Sequence, residues 1–390
     1  MLMDPLMIDR VFVAELLKEL VATNSVNPAM DKGPGELALA NILFDRLASI
    51  APLEVHRQHV VDQRSNVVAV LRGSGGGRSL MLNGHEDTVG VEGMTIDPFK
   101  PFVEKGLLHG RGACDMKGAI AAIVGAAKSL ADSKSRLRGD VIFSFVADEE
   151  HMSLGMQELL KEYKADAAIV GEPTNMRVAT THKGFIWIDV EIRGRAAHGS
   201  VPEKGVDAIV QAATLVSQLD KLLERLRTRS HPLVGTPKIH TSMIEGGTHW
   251  SIVPDCCILR LERRTIPGET PESAMKEIQQ VLHRIKQHDR SFNAKSHIVF
   301  ERPPLEIAPT EPIVQELRKV IRDVTSTNSR VVGVPYWTDG ALLAHSGRIP
   351  TCIFGPGDIG VAHSPDEYVD VEDVFQAAKI YGRCAQRFCA

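Results

Sequence analysis

The chain has 390 residues, of which 43% are hydrophobic and 24% are charged, and its formal net charge is −4. This length exceeds that of one ordinary domain, so we expect two or three structural units of a soluble globular protein. The weak negative charge gives no reason to expect a nucleic-acid or membrane-surface partner, and no run approaches the roughly 18 uncharged apolar residues of a membrane span.

The first part of the chain alternates predicted helices with predicted strands. The apolar patterns predict, in chain order, helices at 9–23 and 35–49, strands at 66–72 and 79–83, a helix at 118–132, and strands at 141–147 and 167–170. A glycine cluster, 73–77, lies between the first two strands. Because it joins strands and does not open a helix, it predicts a hairpin turn and not a phosphate loop. The alternation predicts an α/β sheet.

From about residue 177 the pattern changes to six elements in the order βαββαβ. They are a strand at 185–193, a helix at 205–227, strands at 238–243 and 257–263, a helix at 270–288 and a strand at 296–301. This order is that of a ferredoxin-like domain. The first pattern then resumes, with a helix at 311–324 and short strands near 331 and at 351–354. We therefore expect a discontinuous domain, 1–176 and 304–390, interrupted by an inserted domain at 177–303.

The amino terminus and the cysteines favour a cytoplasmic location. Residues 1–10 include Asp4 and Asp9 and lack the apolar run of a secretory signal. The six cysteines show no Cys-x-x-Cys spacing and lie mostly in apolar or strand-like runs. Such cysteines are typical of buried free thiols in a reducing compartment.

Metal-binding residue types follow several predicted strands in five short motifs. The motifs are Gly-His-Glu-Asp-Thr around His85, Gly-Ala-Cys-Asp-Met-Lys-Gly around Asp115, Asp-Glu-Glu at 148–150, Gly-Glu-Pro-Thr around Glu172, and His-Ser-Pro-Asp-Glu from His363. Two histidines and three carboxylates suffice for two divalent ions if one carboxylate bridges them, and a spare glutamate remains as a base. Spacing alone leaves open which of Glu149 and Glu150 binds metal.

Each motif alone also has an ordinary structural interpretation. His85 and Asp87 point to one face of a strand end, where one can bind metal while the other orients it, but a structural pair is equally consistent. Asp115 could cap the next helix, and the acids at 148–150 could form a solvated loop. A single loop histidine such as His363 is usually just exposed. Jointly, the five motifs predict a two-metal hydrolase.

These motifs resemble, over nearly the whole chain, the zinc-dependent family that includes acetylornithine deacetylase, succinyl-diaminopimelate desuccinylase, aminoacylase and carboxypeptidase G. The resemblance implies a mixed-sheet catalytic domain with an inserted ferredoxin-like dimerisation domain. It also implies that Asp115 bridges two metal ions. One ion would be completed by His85 and Glu172, and the other by Glu150 and His363.

The resemblance further implies catalytic roles for two acids beside these ligands. Glu149 would be the general base, and Asp87 would orient His85. The Asp115–Met116 peptide bond would be cis. Two divalent ions per chain are implied, with zinc as the first expectation, although such a ligand set also accepts cobalt or manganese.

Three residues of the inserted domain are implied to act on the substrate. Residues 194–202 resemble the family's dimerisation signature, in which the histidine, here His198, reaches the partner subunit's site and stabilises the oxyanion. Arg264 matches an arginine that holds the substrate carboxylate. Ser251 stands where the family commonly has a substrate-contacting asparagine, and Glu262 stands where an aspartate is common. These two departures leave the metal set intact and put the substrate in question.

The resulting hypothesis is a homodimeric amidohydrolase that deacylates an N-acylated amino acid or a related small amine. A hydroxide bridging the metals would attack, with Glu149 as the base. A dipeptidase or carboxypeptidase and a deformylase of an N-formyl aminopyrimidine are the enzymatic alternatives. A catalytically silent binding protein on the same fold is the alternative from another class. Trp250 and Trp337 could line a leaving-group pocket or simply pack in the core, and both interpretations remain open.

Overall fold

A computed structural model describes residues 6–133 and 137–390. Half of the amino-terminal segment 1–10 considered above therefore lies outside the described residues. The chain divides into two compact units. The first comprises Met1–Thr180, Ile307–Val332 and Thr338–Ala390, and the second comprises Thr181–Glu306 and Gly333–Trp337. The second unit thus includes a short segment, Gly333–Trp337, that lies outside the predicted insertion at 177–303.

The strands and helices occur as follows along the chain. The strands are β1 (Glu54–Val61), β2 (Arg64–Leu71), β3 (Leu80–His85), β4 (Phe102–Glu104), β5 (Leu107–His109), β6 (Val141–Val146), β7 (Ala167–Val170), β8 (Val178–His182), β9 (Gly184–Arg193), β10 (Lys238–Gly246), β11 (Cys256–Thr265), β12 (Ala294–Arg302), β13 (Leu305–Glu306), β14 (Val331–Val334), β15 (Thr351–Ile353) and β16 (Tyr368–Asp370). The helices are α1 (Arg10–Ala22), α2 (Leu37–Ala48), α3 (Gly118–Asp132), α4 (Leu154–Glu162), α5 (Ala208–Leu226), α6 (Pro271–His288), α7 (Pro312–Thr325), α8 (Gly340–His345) and α9 (Val371–Phe388).

A mixed sheet lies at the centre of the first unit, in the strand order β1-β2-β6-β3-β7-β15-β8. Strands β6, β3, β7 and β15 are parallel neighbours, whereas β1, β2 and β8 run antiparallel to the strands beside them. The predicted α/β class with a mixed sheet is confirmed. Because parallel neighbours end at the same edge of a sheet, the carboxyl ends of four strands meet there.

The glycine cluster 73–77 does not form the predicted hairpin, and that prediction is wrong. Strands β2 and β3 are not neighbours, because β6 lies between them. The turn instead contacts the segment that precedes β6, where Ser74 N donates to Leu137 O at 2.9 Å and Gly75 N donates to Arg138 O at 2.8 Å. Turn composition predicts a change of chain direction but does not reveal that a later strand inserts between the two arms.

Helices α1, α3, α7 and α9 pack on one another in a layer of the first unit. Asp9 caps the start of helix α1, and its side chain accepts a hydrogen bond from Phe12 N at 3.0 Å. Helix α3 is rich in small, buried residues. A Cβ added at Gly125 would lie 2.4 Å from Val13 Cγ2, so the missing side chain allows α1 to approach closely.

Across 6–133 and 137–390, no helix is both long and apolar enough to span a bilayer.

The second unit contains the predicted βαββαβ order, in elements β9, α5, β10, β11, α6 and β12. Its sheet is fully antiparallel, with the strand order β10-β11-β9-β12. Strands β9 and β11 alternate buried and partly exposed residues, and the buried set packs with the apolar faces of α5 and α6. A reciprocal cap between Thr270 and Ser273 begins α6. The expected ferredoxin-like insert is therefore confirmed as a fold.

Candidate metal centre

Four of the five candidate ligands follow the parallel strands whose carboxyl ends meet at one sheet edge. His85 is the last residue of β3, and Glu150 and Glu172 follow β6 and β7 within a few residues. His363 lies in the loop after β15 and has a left-handed backbone conformation, with φ 60°. Such backbone is uncommon for residues other than glycine and recurs at functional sites. Strand order thus accounts for the convergence of residues that are far apart in sequence.

The first cluster consists of His85, Asp115 and Glu172, all buried. His85 Nε2 lies 3.0 Å from Asp115 Oδ1 and 3.8 Å from Glu172 Oε1. One potential ligand atom from each residue falls within 4.8 Å of the other two. One nitrogen and two carboxylate oxygens in so small a volume match the donor types of zinc and related divalent metals.

The second cluster shares Asp115 and adds Glu150 and His363. His363 Nε2 lies 3.0 Å from Glu150 Oε1 and 3.3 Å from Asp115 Oδ2. Asp115 therefore directs Oδ1 to His85 and Oδ2 to His363. One carboxylate with an oxygen in each cluster is the arrangement that a bridge between two ions requires. The His363 side chain is 46% exposed, so this cluster is open to solvent on one side.

Asp115 lies in an irregular π-helical turn, Ala113–Lys117, immediately before α3. Its backbone dihedrals, φ −123° and ψ 94°, are not helical. The peptide bond from Asp115 to Met116 is cis, as the resemblance implied. The N-cap position of α3 is Lys117, so Asp115 is not the cap, which was the structural alternative for this residue.

Glu367 holds the backbone of this turn, a role that sequence reasoning missed. Its Oε1 accepts hydrogen bonds from Cys114 N at 2.9 Å and Asp115 N at 3.0 Å. Its Oε2 accepts from Arg111 Nη1 at 2.5 Å, and both side chains are buried. Glu367 closes the motif that begins at His363, so it ties the loops of two candidate ligands together. Its place in that motif was the available signal, but nothing in the spacing pointed to a backbone partner.

Asp87 contacts a residue of each cluster, His85 in the first and Glu150 in the second. It accepts from Glu149 N at 3.0 Å through Oδ1 and from Glu150 N at 3.1 Å through Oδ2. His85 Nδ1 lies 2.9 Å from the backbone oxygen of Asp87 and 3.5 Å from its Oδ1. Asp87 therefore contacts the Nδ1 atom of one candidate ligand, His85, and fixes the backbone of another, Glu150. The closer partner of the imidazole is the carbonyl, not the carboxylate.

Behind Asp87 lies a buried polar network that no motif predicted. Asn27 Nδ2 donates to Asp87 Oδ2 at 2.7 Å and to Asp148 Oδ1 at 3.0 Å. Arg64 Nη1 lies 2.9 Å from Asp148 Oδ1, and its Nη2 pairs with Glu36. Asp148 has φ 71°, another left-handed residue beside the site. These partners are 28 to 121 residues apart in sequence, which is why no local pattern revealed them.

The site concentrates negative charge in a buried volume. Burial, and next the charge of Glu172, raises the pKa of Glu149 well above its ordinary value. Burial, and next the charge of Asp115, does the same for Glu172. The charges of Glu172, His85 and Glu150 all act on the pKa of the Glu149 carboxyl group. Divalent cations would relieve this repulsion.

In the two imidazoles, by contrast, the site favours the charged form. Burial disfavours the charged ring of His363, but hydrogen bonds that the ring donates to the Asp115 and Glu150 carboxylates outweigh burial and raise its pKa to about 11. The pKa of His85 is likewise raised, because Asp115 and Asp87 outweigh burial. The same imidazoles lower the pKa of Asp115 against the effect of burial. The neighbouring carboxylates therefore favour the charged form of both imidazoles.

His198 and Ser251 lie on neighbouring segments of the second unit. Gly199 N donates to Ser251 O at 2.7 Å, and His198 pairs with Ile252 in an isolated bridge. The His198 side chain is exposed, and its Nδ1 accepts from Ser200 N at 3.2 Å. A neutral ring with Nδ1 as acceptor carries its proton on Nε2. The exposed side of the ring is thus a hydrogen-bond donor.

Arg264 lies at the end of β11 in the second unit. Its Nε donates to Glu262 Oε1 at 2.6 Å, and its guanidinium carbon lies 5.3 Å from the centre of the Phe185 ring. Trp337 packs edge-on against Phe185 at 6.0 Å, which favours the packing interpretation for this tryptophan. Trp250 is fully exposed at 101%, so in one chain it is not a core residue.

Comparison with known proteins identifies relatives along nearly the whole chain. The model of "Peptidase family M20/M25/M40" matches residues 81–387. An acetylornithine deacetylase of Myxococcus xanthus is 29% identical over 386 residues, covering 96% of each chain. An N-formyl-4-amino-5-aminomethyl-2-methylpyrimidine deformylase of Halalkalibacterium halodurans is 33% identical over 345 residues, covering 80% of each. A tripeptidase of Staphylococcus aureus superimposes with a TM-score of 0.81 at 20% identity, covering 98% of this chain and 99% of that one.

Proposed function

The chain belongs to peptidase family M20/M25/M40, a family of hydrolases, and we propose that it removes the acyl group from an N-acylated amino acid by two-metal chemistry. The observation that carries this proposal is the carboxylate of Asp115, which presents one oxygen to each of two ligand clusters. The deacetylase named above, similar over 96% of both chains, supports the reaction type.

The donor set fits two divalent ions. His85 and Glu172 would complete one ion and Glu150 and His363 the other, with Asp115 between them. Two imidazoles and three carboxylates suit zinc first, and also cobalt or manganese. The raised pKa of Glu172 among neighbouring acids is the state expected of a ligand whose cation is removed.

Glu149 is the proposed general base. When bound, the divalent ions lower the pKa of a water molecule from near 16 toward about 7 and polarise the acyl carbonyl. The Glu149 carboxylate takes the proton of that water and later delivers it to the leaving nitrogen. Asp87 supports this role because its Oδ1 accepts from Glu149 N at 3.0 Å, and it also orients His85.

Residues of the second unit would bind the substrate. Arg264 holds the substrate carboxylate with the Nη atoms that its bond to Glu262 leaves available. Ser251 contacts the substrate with a polar side chain that is shorter than that of the asparagine common in the family. His198 of the partner subunit donates its Nε2 proton to the acyl oxygen. The exposed ring of His198, with Nδ1 already accepting from Ser200 N, supports this donor role.

A homodimer through the second unit follows from the proposed role of His198. Strand β10 is an edge strand of its sheet and exposes Met243 and Ile244. Ile209, Trp250 and Ile252 are also exposed and line a hollow beside this edge. An open strand edge with exposed apolar side chains is typical of a surface that another chain covers. A second copy of this chain is the partner we propose.

A cytoplasmic location is also part of the proposal. All six cysteines are free, and five of them are buried. Free thiols are maintained in reducing compartments.

The second candidate reaction is deformylation of an N-formyl aminopyrimidine. The 33% identity to the deformylase of Halalkalibacterium halodurans favours it, although that match covers 80% of the chain. Peptide hydrolysis is a further alternative, which the tripeptidase supports through its fold alone. A catalytically silent binding protein would need to retain the clusters for another purpose.

The test is turnover of metal-reconstituted protein on a panel of N-acetyl, N-succinyl and N-formyl amines, dipeptides and C-terminal glutamate conjugates. Zinc, cobalt and manganese are compared in parallel, with metal-free protein as the control. We expect an N-acyl amino acid to give the highest kcat/KM, and only with metal. A preference for dipeptides or for an N-formyl aminopyrimidine would overturn the substrate class. No turnover with two ions bound would favour the silent binder.

A further inference from the structure

One face of the second-unit sheet carries a row of cations beside aromatic rings. Lys238 on β10 lies opposite Arg264 on β11, Arg264 lies opposite Phe185 on β9, and Phe185 lies opposite Arg302 on β12. Directly opposed residues project from the same face of a sheet. Helices α5 and α6 cover the other face, which holds the buried alternates of these strands. The row thus contains three cations and no acid.

The two arginines of this row are held by aromatic rings. The guanidinium carbon of Arg264 lies 5.3 Å from the Phe185 ring centre. That of Arg302 lies 4.2 Å from the Phe300 ring centre and 5.7 Å from that of Trp337. Stacking fixes the plane of a guanidinium, so less side-chain freedom is lost when it binds a carboxylate.

The positive charge of the row is concentrated. Lys183, immediately before β9, is buried, and its Nζ donates to Thr236 O at 2.7 Å. Burial, followed by the charges of Lys238 and Arg264, lowers its pKa. The acid that pairs with Arg264 is Glu262, which engages Nε and not the Nη atoms. Among residues 6–133 and 137–390, neither Nη atom of Arg264 has a protein acceptor.

The spacing of the row suits a small molecule with two carboxylates. Arg264 and Arg302 are two strands apart, so their Cα atoms are separated by about 10 Å, and side chains that rise side by side keep roughly this distance. Two charge-assisted bonds of about 2.8 Å leave room for a linker of two or three methylene groups. A cationic side chain, such as that of ornithine, would instead meet like charge from Arg302 and Lys238.

We propose that Arg302 determines specificity by binding a second carboxylate of the substrate whose first carboxylate is bound by Arg264. The inference rests on the proposed function, in which Arg264 binds the substrate. It narrows the substrate class to N-acyl compounds with two carboxylates. The second carboxylate belongs to an acidic amino-acid side chain or to a dicarboxylic acyl group, and both present the same anion to Arg302.

The test compares substrates that differ only in this charge. N-acetylglutamate is paired with N-acetylglutamine, and N-succinyl-leucine is paired with its terminal amide. We expect the wild-type enzyme to prefer the charged member of at least one pair by about tenfold to a hundredfold in kcat/KM, the range for a hydrogen bond to a charged group. The first pair reports a side-chain carboxylate and the second an acyl carboxylate. N-acetylornithine should be a poorer substrate than either N-acetylglutamate or N-acetylglutamine.

Variants connect this preference to Arg302. Arg302→Gln should abolish the preference while leaving kcat/KM for the neutral member within about threefold, and Arg302→Lys should restore part of it. Arg260→Gln is the matched control: Arg260 projects from the same face of β11, four residues from Arg264, and pairs with Glu245. It should keep the wild-type preference.

Two results would overturn the role of Arg302: no preference for either charged substrate in the wild type, or an unchanged preference in Arg302→Gln. Failure of the proposed function is a separate result, namely no turnover of the neutral substrates either. In that case, isothermal titration of N-acetylglutamate and N-acetylglutamine into wild-type and Arg302→Gln protein decides. Tighter binding of the glutamate compound that disappears in the variant supports the inference, and equal binding overturns it.

Discussion

Replacing Glu367 with glutamine tests how the Asp115 turn is held. The amide oxygen of glutamine can still accept from Cys114 N and Asp115 N, which now donate at 2.9 and 3.0 Å. The amide nitrogen, however, would face Arg111 Nη1, which now donates to Oε2 at 2.5 Å. Two donors would then oppose each other where the Arg111 and Glu367 side chains are 3% and 0% exposed.

The expected magnitude follows from this geometry. One charge-assisted bond is lost and a buried guanidinium is left without its anion, which costs about 3–5 kcal/mol when such pairs are broken. Because the Asp115 backbone loses a rigid support, metal affinity should also fall about tenfold to a hundredfold. Urea denaturation of metal-free Glu367→Gln measures the first effect. Competition with a chromogenic chelator measures the second.

A double variant separates the charge pair from the backbone contacts. In Arg111→Met combined with Glu367→Gln the opposing donor is absent, so the loss of stability should be smaller than the sum of the two single losses. Wild-type urea midpoint and wild-type metal affinity in Glu367→Gln would refute the proposed clamp.

Three further predictions concern the rest of the site. Asn27→Leu removes the donor that bonds to Asp87 at 2.7 Å, and it should reduce the free energy of unfolding by about 1–3 kcal/mol and metal affinity by about tenfold. Urea denaturation and chelator competition measure the two changes, and unchanged values would contradict the support of Asp87 by Asn27. His85 and His363 have raised pKa values and hold protons at neutral pH without metal, so metal binding should release protons and weaken as the pH falls. Calorimetry in buffers of different ionisation enthalpy measures the proton release, and detecting none would oppose the prediction. His198→Ala should retain metal and thermal stability but lose about a hundredfold in turnover. If His198 acts in the partner's site, mixing this variant with Glu149→Gln should restore activity, and no recovery after subunit exchange would contradict that role.

The fold class was predictable because each part of it rests on local patterns. The six elements of the second unit are each bounded by clear turns, and their order alone specifies the ferredoxin-like arrangement. The hairpin predicted at 73–77 was wrong for the opposite reason, since β6 lies between β2 and β3 although it is more distant along the chain, as in the pairing of Leu80 with Val141. Helix α9 was not predicted, although Asp370 caps its start and its buried residues recur at helical spacing.

Some residues of the candidate site were likewise predictable from local sequence patterns, and others were not. Residues such as His85 and Glu172 follow apolar strands, so the parallel sheet brings them to one edge, and their motifs indicate this beforehand. Asn27 and Arg64 act only through hydrogen bonds to side chains that are distant in sequence. Their residue types are common on protein surfaces, so only tertiary structure reveals that they support Asp87.

The most direct test of the two-metal hydrolase is the variant Glu149→Gln, assayed for bound metal and for turnover on the best N-acyl substrate. Glutamine has the size of glutamate but cannot take a proton from water. We predict about two ions per chain, as in the wild type, with turnover reduced at least about a hundredfold. Near-wild-type turnover in a fully metallated variant would contradict the proposed base and the reaction built on it.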